Sequence, residues 1–385
     1  MNAGPRSYPT ARKTASLSLL IIIAAAVAVL GPNTAPLRAQ GAPSFSIDDD
    51  CQAFAISHNN AIVYAVPRKK SFKRLVIERD DISISSGPGK TRKIVEADKF
   101  MPIPPPQGFV VNSLAWAPDG RRFAADITLQ KPPVDFEPDK KKKEDSGADD
   151  DRTLYSVGGG PAVALFDDDG REIKVAGSQS RFIEGATNAT WLADGNTVVY
   201  LTTEAHQIVR VRPADGQTTK LFEGRGFDAV VWDAANNRAF AVTQNLNLRG
   251  RMAIVELDLL HETIREVTTL ESYRASLSLS PSGDKIAFFE DGDTIDVVDL
   301  KNSTKITRVR TGLGRFEWSW DERRVLLKRA PVDQSNILFW VGLYDGSFTP
   351  ILHGLAYHDF HIAPDGRFLG VTQPGKKVLT MYPLQ

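Results

Sequence analysis

Short apolar stretches that alternate with polar positions recur along most of the chain, each broken by a turn signal. "LAWAPDGRRFAAD" begins at Leu114 and "FHIAPDGRFLGV" at Phe360. "LSLSPSGDKIAFF" begins at Leu277, "ATWLADGNTVVYL" at Ala189 and "FEWSWDERRVLLK" at Phe316. Two degraded copies start at Val230 ("VVWDAANNRAFAV") and Phe45 ("FSIDDDCQAFAIS"). Alternation with a period of two predicts strands with one buried face. Pro presets φ for a tight turn, Asp accepts local backbone hydrogen bonds, and Gly tolerates a left-handed conformation. Each copy therefore reads as a hairpin, with turns at Asp50, Asp119, Asp194, Ala235, Ser282, Asp321 and Asp365.

A second hairpin follows most copies. The strings are "VALFDDDGREIKV" from Val163, "VRVRPADGQTTKLF" from Val209, "IVELDLLHETIREV" from Ile254, "IDVVDLKNSTKITRV" from Ile295 and "FWVGLYDGSFTPIL" from Phe339. Two hairpins per unit make a four-stranded sheet of ~40 residues that cannot bury both faces alone. Radial stacking lets each sheet cover its neighbour. The expectation is an all-β propeller of about seven four-stranded antiparallel blades, with six as the competing count. The last unit ends in "KVLTMYPLQ", which fills a third strand. Its outer strand is either missing or supplied from just upstream of Ser44.

The Pro-Asp-Gly phrase followed by a short apolar strand resembles the TolB-type propeller repeat, a cousin of the WD repeat. The resemblance covers residues 41–385. It implies architecture more than activity, since that family spans the periplasmic TolB protein, the propellers of prolyl-oligopeptidase-type peptidases and many exported proteins of unknown role. TolB itself carries an α/β domain ahead of its propeller, and the stretch before Phe45 offers no equivalent, so its specific role is not carried over. Peptidases of this kind need a G-x-S-x-G elbow, and none occurs in this chain.

Residues 1–40 read differently. Arg6, Arg12 and Lys13 precede "SLSLLIIIAAAVAVL", an apolar run of about 15 residues, the length of an export signal and short of the ~20 that a membrane span needs. Cleavage near Ala39–Gln40 predicts a periplasmic or secreted protein. An uncleaved segment predicts an inner-membrane anchor with the propeller facing the periplasm. No Arg-Arg pair marks the twin-arginine route. The single cysteine, Cys51, cannot form an internal disulfide, and Asp50 before it spoils an acylation site.

Lys plus Arg and Asp plus Glu each total 47, so no basic excess points to nucleic acid. "SSGPGKT" at Ser85–Thr91 lacks the first glycine of a phosphate loop and reads as a hairpin turn. Gly158–Gly160 reads as a flexible re-entry to a strand. The aspartate runs Asp48–Asp50 and Asp167–Asp169 lack a calcium loop's closing Glu and read as turns. His358 and His361 are three apart on a strand and point to opposite faces, which disfavours a shared metal. No cofactor is expected.

In propellers the strand-two-to-three loops share a face with the inter-blade connections. "SHNN" at Ser57–Asn60, "TQNLNLRGR" at Thr243–Arg251 and "KRAPVDQSN" at Lys328–Asn336 are assigned to that face. So are the Pro-rich Phe100–Phe109 connection and a charged insertion at 131–152, read as disordered. The candidate binding residues are Arg181, His206, Arg249, Arg251, Arg274, Arg315, Arg329, His358 and Asp359, with Arg181, Arg274, Arg315, His358 and Asp359 placed at the upper ends of channel-lining strands. These either receive an anionic ligand or solvate the entrance. The leading functional expectation is a monomeric, non-enzymatic scaffold that binds a protein or envelope component. The alternative is a lactonase- or quinoprotein-type enzyme with a channel-bound metal or cofactor.

Overall fold

The computed structural model describes residues 44–384 except 73–74, 102–106, 134–153, 156, 245–249, 272–276, 291–292, 313, 330–337, 352–358 and 373–377. Seven four-stranded antiparallel sheets form a β-propeller within the compact unit Ala39–Gln385. The inner strands, in blade order, are Ala53–Ile56, Gly108–Trp116, Ala186–Trp191, Asp228–Asp233, Leu277–Leu279, Gly314–Trp318 and Asp359–Ile362. Turns between strands one and two, and between three and four, lie on one face, here the turn face. Strand-two-to-three loops and inter-blade connections lie on the other, the loop face.

Alternation along each strand sends neighbouring residues into different cores. In blade 2, Phe123 and Ala162 pack toward blade 1, whereas Ala124 and Val163 pack toward blade 3. The same division holds around the ring. A separate apolar cluster fills each of the seven junctions, the last joining Leu379 and Met381 of blade 7 to Phe54 and Tyr64 of blade 1. The stability of each sheet therefore depends on its neighbour.

Tryptophans of the repeated phrase add polar stitches across junctions. Trp116, Trp232 and Trp318 each stand three residues before the turn position. Their indole N–H groups donate to the preceding blade's inner strand, at Ala55 O (3.2 Å), Asn188 O (2.7 Å) and Ser278 O (3.1 Å). Trp318→Phe keeps an aromatic ring but leaves the Ser278 carbonyl without this donor and empties part of a buried site. It is expected to cost about 1–3 kcal/mol, read as a lowered urea midpoint with an unchanged slope.

Three expectations need correction. Phe45–Ile47 does not open blade 1. It pairs antiparallel with Leu379–Pro383 as the outer strand of blade 7 and closes the ring, so residues upstream of Ser44 are not needed for this. The reason is edge chemistry: the free edge of the last blade is satisfied by the nearest unpaired segment. Consequently the first turn is not at Asp50. "SHNN" is the strand-one-to-two turn of blade 1, between Ala53–Ile56 and Ile62–Val66, and belongs to the turn face.

The strand-two-to-three loop of blade 1 carries an unforeseen hairpin instead, Lys69–Phe72 with Leu75–Glu78. Leu154–Tyr155 of blade 2 joins it in parallel. In blade 2 the outer position goes to Ile183–Glu184, paired with Ala162 and Val163. The expected partner at 171–175 makes only a bridge, Phe166 to Glu172. Ser85–Thr91 is a hairpin turn, as read. Gly158–Gly160 lies within the strand Val157–Asp167, at a bulge. Asp167 accepts the N–H groups of Asp169 and Arg171, which is turn chemistry. Most of the 131–152 insertion lies outside the described residues.

Candidate functional site

Arg315 and Glu317 lie two apart on the inner strand of blade 6, and Asp359 and His361 two apart on that of blade 7. Period-two geometry puts each pair on one side of its strand, and the side chains meet across the junction. The Arg315 guanidinium bonds the Asp359 carboxylate and Glu317 Oε1, the latter at 3.0 Å. His361 Nδ1 is 2.9 Å from Glu317 Oε1, and its Nε2 is 3.4 Å from Asp359 Oδ2. The N–H of Ile362 donates to Glu317 Oε2 at 2.8 Å, and that of Asp359 to Thr372 Oγ1 at 3.0 Å. Arg315 also lies over the Phe360 ring, and Phe54 of blade 1 meets His361 edge-on.

These groups are half-buried: about a third of the His361 side chain (32%) and 44% of the Arg315 side chain remain exposed. Burial works against the imidazolium, but the Glu317 and Asp359 carboxylates outweigh it and raise His361 to about 9. Burial likewise pushes both carboxylates up, and the cations hold them below their ordinary values. Arg315 stays charged. Two cations and two anions thus form a neutral quartet. On the adjoining strand, burial lowers the Lys328 ammonium.

Such a quartet joins blades; it does not present charge. Arg315 is committed to carboxylates, so it offers little to an anionic ligand. An imidazolium held to about pH 9 is no general base at neutral pH.

Other candidate residues disperse. Arg181 is not on an inner strand. It precedes the outer strand of blade 2, pairs with Glu172 at 3.1 Å and covers Phe100, the last residue of a one-turn helix, Ala97–Phe100. His206 is in the strand-two-to-three loop of blade 3, 3.1 Å from Asp228. Arg251 is exposed on the corresponding loop of blade 4. Arg249, Arg274 and His358 lie outside the described residues, and only the backbone of Arg329, at the end of Arg324–Arg329, is described.

Sequence reading passed over a second feature. Among the described residues, the large apolar side chains left exposed are Leu260, Ile306, Trp320, Tyr344 and Phe348. All lie on or beside the turn face of blades 4–6. Leu260 and Tyr344 occupy strand-three-to-four turns, and Trp320 a strand-one-to-two turn. Ile306 and Phe348 lie near the starts of outer strands. Trp320 is 61% and Tyr344 60% exposed. A signal was present: the position before the turn residue is Pro118, Ala193, Ala234, Pro281 and Pro364 in other copies, and Trp320 in blade 6.

No protein-family profile matches the chain, and no curated protein does. Solved structures do. A chain of a mitotic checkpoint complex superposes with a TM-score of 0.57 at 12% identity, covering 100% of this chain and 99% of that one. The propeller domain of Cps50 (Swd1) from Myceliophteria thermophila superposes at 0.56 and 12% identity, covering 89% of this chain and 99% of that domain. At this identity the likeness is one of fold. The protein is a seven-bladed β-propeller.

Proposed function

We propose that this chain is an exported, TolB-like propeller scaffold of the cell envelope that binds a protein partner on its turn face. One observation carries the reading: the exposed Leu260, Ile306, Trp320, Tyr344 and Phe348 gather on that face in blades 4–6. Aromatic side chains of this kind anchor protein interfaces. The basic residues and apolar run ahead of Ala39 support export, and the neutral quartet supports a structural channel. The binding face is thus the one opposite to that expected from loop polarity.

A photo-crosslinking amino acid at position 344 tests this in cells of the native host. The expected result is a discrete, saturable adduct that is lost in Trp320→Ala, with none from the same probe at position 251 on the loop face. No adduct at 344, or equal adducts at both positions, refutes the turn face as the binding face. Fractionation of the tagged full chain checks export independently, with the chain expected outside the cytoplasm.

A further inference from the structure

A cleft of ≈ 560 Å³ opens on the turn face where blades 5, 6 and 7 meet blade 1. That size lies within the range of small-ligand sites and exceeds one side chain. Its walls include Leu279, Trp318 and Ile362, and Trp320 stands at its rim.

Trp320 is held by its neighbour blade. A Cβ on Gly366 would come within 2.4 Å of Trp320 Cβ, so the root of the indole lies against a position that only glycine can fill. Gly366 is left-handed, with φ +71. This contact places the root of the indole against the turn that carries Asp365, and both residues line the cleft.

The charges of the cleft have one sign. Among the described residues its lining holds the carboxylates of Glu317 and Asp365 together with His58, and no Lys or Arg. Glu317 is already balanced by Arg315 and His361. Asp365 is oriented by neutral donors: the Asn60 amide at 2.8 Å to Oδ2, and the Arg367 N–H at 2.9 Å to Oδ1. The Arg367 side chain is 3.8 Å away and 78% exposed, a weak competitor for that charge.

An exposed indole and an incompletely balanced carboxylate lining one cleft with apolar walls match a group with a cationic head and an aliphatic stem. A guanidinium or ammonium gains from the ring face and from the carboxylate, and its stem from the walls. Resting on the scaffold reading above, we propose that this cleft binds an arginine or lysine side chain presented by an extended segment of the partner protein.

The test uses the full-length protein and two acetylated Gly/Ser hexapeptides, one with a central arginine and one with citrulline, its uncharged isostere. Binding is read from the indole N–H signal of Trp320 by NMR. The arginine peptide is expected to shift that signal and to bind at least tenfold more tightly than the citrulline peptide. Trp320→Leu, which keeps apolar bulk but removes the ring, is expected to weaken binding at least tenfold. Asp365→Asn, which retains the turn's acceptor, is expected to weaken it at least threefold. Equal binding of the two peptides, or an unchanged affinity in Trp320→Leu, overturns the proposal. So does a Trp320 shift caused by phosphatidylcholine vesicles and not by peptide, which would assign the patch to a lipid surface. If the peptides fail while the adduct at position 344 persists, this inference falls and the scaffold reading stands.

Discussion

Replacing Ile47 by aspartate is expected to destabilise the propeller by about 4 kcal/mol or more. Ile47 lies on the strand that closes the ring, in register with Leu379, while Phe45 faces Met381. Its side chain is buried among Phe54, Tyr64, Leu379 and Met381. Losing a buried aliphatic side chain typically costs ~2–5 kcal/mol. A carboxylate put in its place adds a desolvation penalty with no partner in that cluster. The change acts where the first described strand meets the last, so loosening it also exposes the edge of Leu379–Pro383. Ser46→Asp is the control, because Ser46 is exposed on the same strand. Its unfolding free energy from urea denaturation is expected to stay within about 0.5 kcal/mol of the parent. Equal effects at 46 and 47 would show that this strand does not close the ring.

Raising the pH from 6.5 to 9 is expected to cost about 2 kcal/mol of stability, through His361. The folded protein holds this imidazole protonated to about 9, against an ordinary value of 6.5. Below pH 6.5 both folded and unfolded chains carry the proton, and the contribution of His361 is fully present. Between 6.5 and 9 the unfolded chain releases it and the folded chain does not, so folding loses its advantage. The full span corresponds to roughly 3 kcal/mol. Outward exposure of about a third of the side chain reduces this to about 2.

Asp359 and Glu317 act in the opposite direction. Their carboxyls are lowered, so their contribution is present above their ordinary range and fades as pH falls through the folded values. Asp80 needs separating as well. Burial raises it to about 7 against the pull of the Val111 N–H, so its stability effect is lost as pH climbs from about 4 to 7. The interval from 7 to 9 is therefore the informative one. Denaturation measured at pH 7, 8 and 9 should show a fall in the parent and a flattened profile in His361→Gln. The same slope in both would mean that the quartet does not govern this range.

The sequence by itself determined the blades. Strand alternation and the Pro-Asp-Gly turns act between residues a few positions apart, and six of the seven expected turns, Asp119 through Asp365, are where the pattern put them. The Arg315–Glu317 and Asp359–His361 spacings were equally visible as pairs sharing a side of a strand. Their meeting was not, because a spacing within each strand does not say which residues meet across the junction of two blades. Trp320 could be seen as the odd residue in its copy, but its seat on Gly366 depends on how blade 7 abuts blade 6.

Only the tertiary structure decided the ring closure. "FSI" at Phe45–Ile47 alternates as an inner strand would, and no local property distinguishes the two fates. Which edge it pairs with depends on where an unpaired strand remains once six junctions have formed. The parallel pairing of Leu154–Tyr155 with Leu75–Glu78 has the same origin. Local alternation and turn chemistry specify hairpins, whereas pairing between distant segments is settled by the edges and faces that the assembled blades leave open.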